Sequence, residues 1–171
     1  MAAIGQSDNN FTTVGLARYA AAIASSGTVY NLTLLDSVRD SSGDVIESYA
    51  PTVRNTIDVL DTSEWDAIHY GMRMVCESLS SFDGFSVEVA GKTGTAQQVK
   101  SRPNHALFIG YAPYDNPEVA IATRIAYGYT SHNAAEVSKD ILAYYFGAST
   151  TEDILNGEAN TVSDSEDEFT D

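Results

Sequence analysis

Apolar residues recur along the chain with two periods, and the switches between them mark out its elements. Val14, Ala17, Ala21 and Ala24 stand at helical spacing behind Thr12 and Thr13, either of which can cap a helix running to Ser25 and ended by Gly27. Its alanines let that helix pack closely against a neighbour. Leu32, Leu34 and Val38 predict a strand, and Ser41-Ser42-Gly43-Asp44 a turn before Val45-Ile46, giving a small polar-tipped hairpin. Residues 51–60 read as a connector. Ser63 and Asp66 have the spacing of a capping box, and the helix behind them carries Trp65, Ile68, Met72, Val75 and Cys76 on one stripe. His69 lies beside that stripe, where a packing or surface role is expected, and Ser80 to Gly84 turn the chain.

The next pattern is extended. Val87 and Val89 alternate with Glu88 and open a strand that runs through Thr95. Residues 97–104 form a polar loop whose Lys100 and Arg102 read as solvated charges. Residues 106–112 are strongly apolar, Tyr114-Asp115-Asn116-Pro117 is a turn, and residues 119–125 give a third strand. Short connections make the three an antiparallel meander. Asn133 can cap a closing helix, residues 134–146, with Val137, Ile141 and Tyr144 or Tyr145 on its buried stripe. Such a helix covers one sheet face, so the fold class is α+β, an antiparallel sheet flanked by helices.

Length and charge refine this picture. The chain's 171 residues suit one compact domain, expected over residues 1–147. The net charge of −15 is extreme, and the eight acids with no base from Glu152 onward supply about half of it. Residues 148–171 therefore read as an acidic, disordered tail. An acidic balance argues against nucleic acid and against an anionic membrane surface as partners. Cys76 is the only cysteine, which excludes an intrachain disulfide and suggests a buried, inert thiol. No apolar run approaches the roughly 18 residues of a membrane span, and Met1-Ala2-Ala3-Ile4 lacks the charged start of a signal peptide. His69, His105 and His132 have no spacing that converges on an ion, so neither metal nor cofactor is expected.

Chemistry concentrates in Lys92-Thr93-Gly94-Thr95. On an extended strand Thr93 and Thr95 share one face and Lys92 takes the other. Gly94 lets a backbone or a ligand come close. Two hydroxyls and a nearby ammonium can bind a peptide carboxylate. Gly91-Lys92-Thr93 also matches the end of a phosphate loop, but Ser86 stands where that motif needs a glycine, and no helix pattern follows. The other motif is the K-T-G of active-site-serine enzymes.

The flanks extend the match. The block Ala90-Gly91-Lys92-Thr93-Gly94-Thr95-Ala96-Gln97 resembles the K-T-G block of high-molecular-weight, class B, monofunctional penicillin-binding proteins. Ile4-Gly5-Gln6 with Phe11-Thr12-Thr13 and Leu16-Ala17-Arg18-Tyr19, then Gly71-Met72-Arg73-Met74-Val75, then His105-Ala106-Leu107-Phe108-Ile109-Gly110-Tyr111-Ala112-Pro113 resemble further blocks of that family, in order, over roughly residues 3–147. The resemblance implies part of a β-lactamase/transpeptidase-like fold. It implies a D,D-transpeptidase that acylates a serine with the D-Ala-D-Ala end of a peptidoglycan stem peptide and is acylated by β-lactams. It implies a place on the outer face of a bacterial cell membrane. Lys92 would then be catalytic, supplying charge beside the substrate carboxylate. Thr93, Gly94 and Thr95 would bind substrate, and the backbone N–H of Thr95 would form half of the oxyanion hole.

The family's S-x-x-K is not present. Three positions before Lys92, Lys100 and Lys139 stand Val89, Gln97 and Glu136. Ser7-Asp8-Asn9 spells S-x-N, but it follows Ile4-Gly5-Gln6, which the family places after its own S-x-N; it reads as a loop. The chain is therefore expected to be the C-terminal portion of a transpeptidase domain, inactive alone and partnered by the N-terminal portion. A β-lactamase or D,D-carboxypeptidase relative, and a non-catalytic binding or assembly fragment of the same fold, remain as alternatives.

Overall fold

The computed structural model describes residues 10–155. Helix α1 (Thr13–Ala24) leads into strands β1 (Thr28–Tyr30), β2 (Ser37–Arg39), β3 (Val45–Ser48) and β4 (Val53–Thr56). Helix α2 (Thr62–Ser78) and a 3-10 turn (Ser80–Phe82) follow, then β5 (Ala90–Ala96), β6 (His105–Ala112), β7 (Val119–Ile125), α3 (Ser131–Tyr145) and α4 (Thr151–Leu155). The expected segments Ile4-Gly5-Gln6 and Ser7-Asp8-Asn9, and the chain after Leu155, lie outside the described residues.

Strands β5, β6 and β7 form the expected antiparallel meander, in that order. The register sets Gly91 opposite Gly110, Thr93 opposite Phe108 and Thr95 opposite Ala106. One face carries Ala106, Phe108 and Ala112 onto Ala134, Ala135 and Leu142 of α3, with Cys76 and Val89 closing the cluster. The other face carries Ala90 and Tyr111 onto Ile23 of α1 and Trp65 and Met72 of α2. Helices thus lie on both faces, and β5 is an edge strand.

Several boundaries differ from the pattern reading. The strand begins at Ala90, not Val87. The register would set Glu88 opposite Pro113, which has no N–H to donate, and only Tyr114 reaches back, its N–H bonding Glu88 O at 2.9 Å. Leu32 and Leu34 are not in a strand, because Thr33 Oγ1 accepts the Leu35 N–H at 3.0 Å and makes a local turn instead. The β2–β3 hairpin forms around the predicted turn. The connector contains β4, which pairs with β1 through Thr28 and Thr56.

Helix ends follow side-chain chemistry. Thr12 caps α1 by accepting the Gly15 N–H at 3.1 Å. The capping box of α2 uses Asp61 and Glu64 rather than Ser63 and Asp66. Asp61 Oδ1 accepts the Glu64 N–H at 3.0 Å, and Glu64 Oε2 accepts the Asp61 N–H at 2.8 Å. A longer Glu closes the reciprocal bond that Asp66 is too short to make. In α3 the cap is Thr130, and Asn133 sits inside the helix with its amide donating to Gly128 O at 2.8 Å.

The buried faces of α1 and α3 are also rotated from the expected stripes. Helix α1 buries Ala20, Ala22 and Ile23 while Val14 is exposed. Helix α3 buries Ala134, Ala135, Ser138, Leu142 and Ala143, and Val137, Ile141, Tyr144 and Tyr145 face outward. Small residues let each helix settle close to the sheet. Residues 151–155, expected to be disordered, form α4, opened by Thr150 and Asp153, whose side chains each accept the other's backbone N–H. It lies over the outward side of α3, so that Ile141, Tyr144, Ile154 and Leu155 line an apolar groove.

Candidate active site

Lys92, Thr93, Gly94 and Thr95 stand on the edge strand β5. Their cross-strand partners Phe108 and Ala106 fix Thr93 and Thr95 on one face, as the alternation predicts, with Lys92 and Gly94 on the other. Lys92 is exposed, and its Nζ bends round the open edge to donate to Thr93 O at 3.0 Å, with Thr93 Oγ1 at 3.5 Å. Among the described residues no carboxylate lies within ion-pair reach of it. The ammonium is therefore open to an anion from outside the described chain.

The two threonines differ. Thr93 keeps its hydroxyl beside Lys92, whereas Thr95 Oγ1 is covered and has no protein partner. A buried hydroxyl without a partner costs about 1–3 kcal/mol, so Thr95 is poised to gain from any group that reaches it. Gly94 is open: a Cβ built there meets only Leu107 Cβ at 3.6 Å. Nothing in the fold requires glycine at that position, and its bareness leaves room along the strand.

Neighbouring side chains set this strand. Arg73 on α2 reaches Glu88 Oε1 at 2.9 Å and Val89 O at 3.5 Å, tying the helix to the segment that enters β5. His69 Nε2–H donates to Ile23 O at 2.8 Å, and its ring meets Tyr111 edge-on at 5.8 Å, so it packs α2 against α1 as expected. At the far end His105 is buried between Gln98 and Tyr127. Burial, and then the nearby Arg124 guanidinium, hold its imidazole below the ordinary histidine range. Arg102 is exposed, but it is not merely solvated: Nη1 donates to Tyr127 Oη at 2.9 Å. Lys100 is exposed. The grouping of Gln98, Arg102, His105 and Tyr127 escapes sequence reading, apart from the block that begins at His105.

Two other groups look reactive and are not placed to react. Ser81 Oγ lies 3.1 Å from His132 Nδ1, and His132 Nε2 lies 3.4 Å from Glu136 Oε1, the arrangement of a serine-histidine-acid relay. Ser81 is only 4% exposed, so the contact ties the 3-10 turn to α3 and offers no nucleophile. Cys76 is buried, and desolvation, only partly offset by Arg73, pushes its thiol up to about 12. Among the described residues no cluster of three His, Cys, Asp or Glu could hold a metal ion, and no helix is long and apolar enough to cross a membrane.

An exposed ammonium, a free strand edge and two hydroxyls suit an extended, anionic peptide. Known proteins are similar to this chain in sequence and in fold. Penicillin-binding protein 2A of Bacillus subtilis is 30% identical across 88% of this chain and 24% of its own length. A peptidoglycan D,D-transpeptidase (MrdA) of Haemophilus influenzae is 28% identical across 83% of this chain and 25% of its own. The fold matches the structure of penicillin-binding protein A from Mycobacterium tuberculosis in its imipenem acyl-enzyme complex, with a TM-score of 0.75 at 24% identity, covering 85% of this chain and 33% of that one. The chain thus spans about a quarter of the length of these curated relatives. Residues 1–143 match the family described as the penicillin binding protein transpeptidase domain, and the chain belongs to that family.

Proposed function

We propose that this chain supplies the K-T-G side of the active site of a peptidoglycan D,D-transpeptidase at the outer face of a bacterial cell membrane, and that β-lactams acylate the same enzyme. The observation that carries this is the exposed ammonium of Lys92 on the edge strand β5, with no carboxylate in ion-pair reach among the described residues, two positions from Gly94, a glycine that the fold does not require. The D-Ala-D-Ala end of a stem peptide lies along β5 as an added strand. Lys92 and the hydroxyls of Thr93 and Thr95 bind its carboxylate. Thr95 takes part once its side chain turns to uncover Oγ1, with the strand backbone held in place.

The reacting serine belongs to an S-x-x-K segment outside this sequence. Its Oγ attacks the penultimate D-Ala carbonyl, and the oxyanion forms against the Thr95 N–H and the serine's own N–H. The terminal D-Ala leaves as the amine, taking a proton, and the amine of a second stem then displaces the serine from the acyl group.

The test is covalent labelling by fluorescent penicillin of the whole transpeptidase that includes this chain. Lys92→Ala is expected to slow acylation about 10²-fold or more, the scale of losing a transition-state electrostatic contact, with the melting temperature unchanged. Wild-type labelling kinetics in Lys92→Ala would refute the assignment.

A further inference from the structure

Strand β5 ends at Ala96, β6 begins at His105, and Ala96 opposite His105 is the last rung of their ladder. The intervening loop, residues 97–104, is closed by side chains instead. His105, 8% exposed, accepts the Tyr127 N–H on Nδ1 at 3.0 Å, and its Nε2 lies 3.2 Å from Gln98 Oε1. Tyr127 Oη donates to the same Gln98 Oε1 at 3.1 Å and accepts from Arg102. The His105 and Tyr127 rings stand 4.8 Å apart, and the Arg102 guanidinium lies 5.1 Å from the centre of the tyrosine ring. Tyr129 N–H bonds Asn104 O at 3.1 Å. Both ends of the loop therefore attach to the turn between β7 and α3.

That turn is strained. Tyr127 has φ 55 and Tyr129 φ 64, left-handed values that bulky residues avoid at a cost of about 1–3 kcal/mol each. Their N–H groups are the ones that bond His105 and Asn104. The bonds also settle the tautomer. A ring nitrogen that accepts carries no proton, so Nδ1 is bare and Nε2 bears the hydrogen that Gln98 accepts. The Arg124 Nη2 contact to Nε2, at 3.4 Å, is then a charge contact and not a hydrogen bond. A second proton on Nδ1 would oppose the Tyr127 N–H and add a cation beside Arg124 of β7, with Arg102 of the loop on the Tyr127 ring.

We propose that His105 is a positioning residue: its neutral ring clamps Gln98 to Tyr127 and thereby fixes the end of β5 from which Thr95 presents its backbone N–H, an inference that rests on the transpeptidase reading above. His105 touches no reacting atom. It acts through Ala96, its partner across the ladder and the residue after Thr95. Protonating it frees the loop and misplaces the donor.

Two readouts on the whole transpeptidase test this. In the first, histidine ring nitrogens and the Tyr127 and Thr95 amides are followed by NMR against pH. His105 is expected to show the Nε2–H tautomer at neutral pH and a midpoint below the ordinary histidine range, with both amides moving at that midpoint. In the second, penicillin acylation is timed against pH. The wild type is expected to lose about tenfold in rate through the same midpoint, as a small misplacement of a catalytic donor does. His105→Asn keeps an acceptor for the Tyr127 N–H without titrating but gives up the ring's bond to Gln98, so it should lower the neutral rate and flatten the acid limb. Gln98→Ala, at an exposed position, should lower the rate with an unchanged melting temperature. An Nδ1–H tautomer, a His105 charged at neutral pH, a Thr95 amide blind to the titration, or an acid limb unchanged in His105→Asn would each overturn the proposal. If penicillin acylates the wild type at no pH, the transpeptidase reading fails, while the ring and amide data still decide whether the clamp exists.

Discussion

The ring of Phe108 lies over Gly91, so close that a Cβ built on Gly91 would come within 2.3 Å of Phe108 Cζ. Gly94, three residues later, has no such neighbour. Gly91→Ala is therefore expected to destabilise the fold by about 1–3 kcal/mol, the cost of overpacking a core. Gly94→Ala should stay within about 0.5 kcal/mol of wild type, yet slow penicillin acylation, because its methyl occupies the ligand's path. Urea denaturation of both variants separates them, and equal losses of stability would remove the argument that position 94 is bare for a ligand.

Cys76 is expected to resist alkylation in the native state. Its thiol is 1% exposed and held near 12, so at pH 8 almost none is thiolate and none is reachable. Iodoacetamide should modify it only after unfolding in urea, as read by intact mass. Rapid native labelling would mean that the cluster around Cys76, Val89 and Phe108 opens far more easily than its burial indicates.

The α2 cap makes a pH-dependent contribution. The Ser63 hydroxyl, and then the Glu64 N–H, hold the Asp61 carboxyl below the ordinary carboxylate value of 3.8. A lowered folded value means stability that is full above 3.8 and lost as pH falls through the folded value. Asp61→Ala should lower the melting temperature by a few degrees at neutral pH, with the gap narrowing in acid. A gap that is constant down to pH 2 would show that the ionised cap contributes nothing.

Val14 and Tyr19 on α1 and Tyr70 and Met74 on α2 are each more than half exposed. Both helices thus turn apolar side chains to solvent, which the N-terminal portion of the domain would cover. The 171-residue chain expressed by itself is expected to bind a hydrophobic dye and to self-associate in sedimentation. Co-expression with a segment bearing S-x-x-K and S-x-N should give a monodisperse complex that penicillin labels. A stable monomer that unfolds cooperatively and binds no dye would show that these side chains need no cover.

The meander was legible because its apolar strands are separated by polar turns, and the faces of Thr93 and Thr95 followed from simple alternation. The buried side of α3 was not. Hydropathy ranked Val137, Ile141 and Tyr144 above Ala134, Ala135 and Ser138, but close approach to a sheet selects small residues, and Ser138 buries its hydroxyl by bonding Thr123 Oγ1 at 2.8 Å and Ala134 O at 2.7 Å. The K-T-G strand announces itself in four consecutive residues. The clamp at its end joins Gln98, His105 and Tyr127, which no local period connects, and a neutral histidine in a bonded pair looks the same in sequence as a surface one. Likewise, alternation assigns Thr95 its face but is silent on whether its hydroxyl is covered.

The β2–β3 hairpin shows every residue of β3 and all but Ser37 of β2 to solvent, and its pairing is bulged between Val38 and Arg39. A lone two-stranded ribbon is marginal in water. The chain therefore has two levels of stability. The hairpin's amides exchange with solvent through cheap local openings, while those of β6 exchange only when the whole sheet comes apart. A melting curve reports the second event and is blind to the first, so insertions and substitutions near Ser42 and Gly43 can accumulate without a thermal trace.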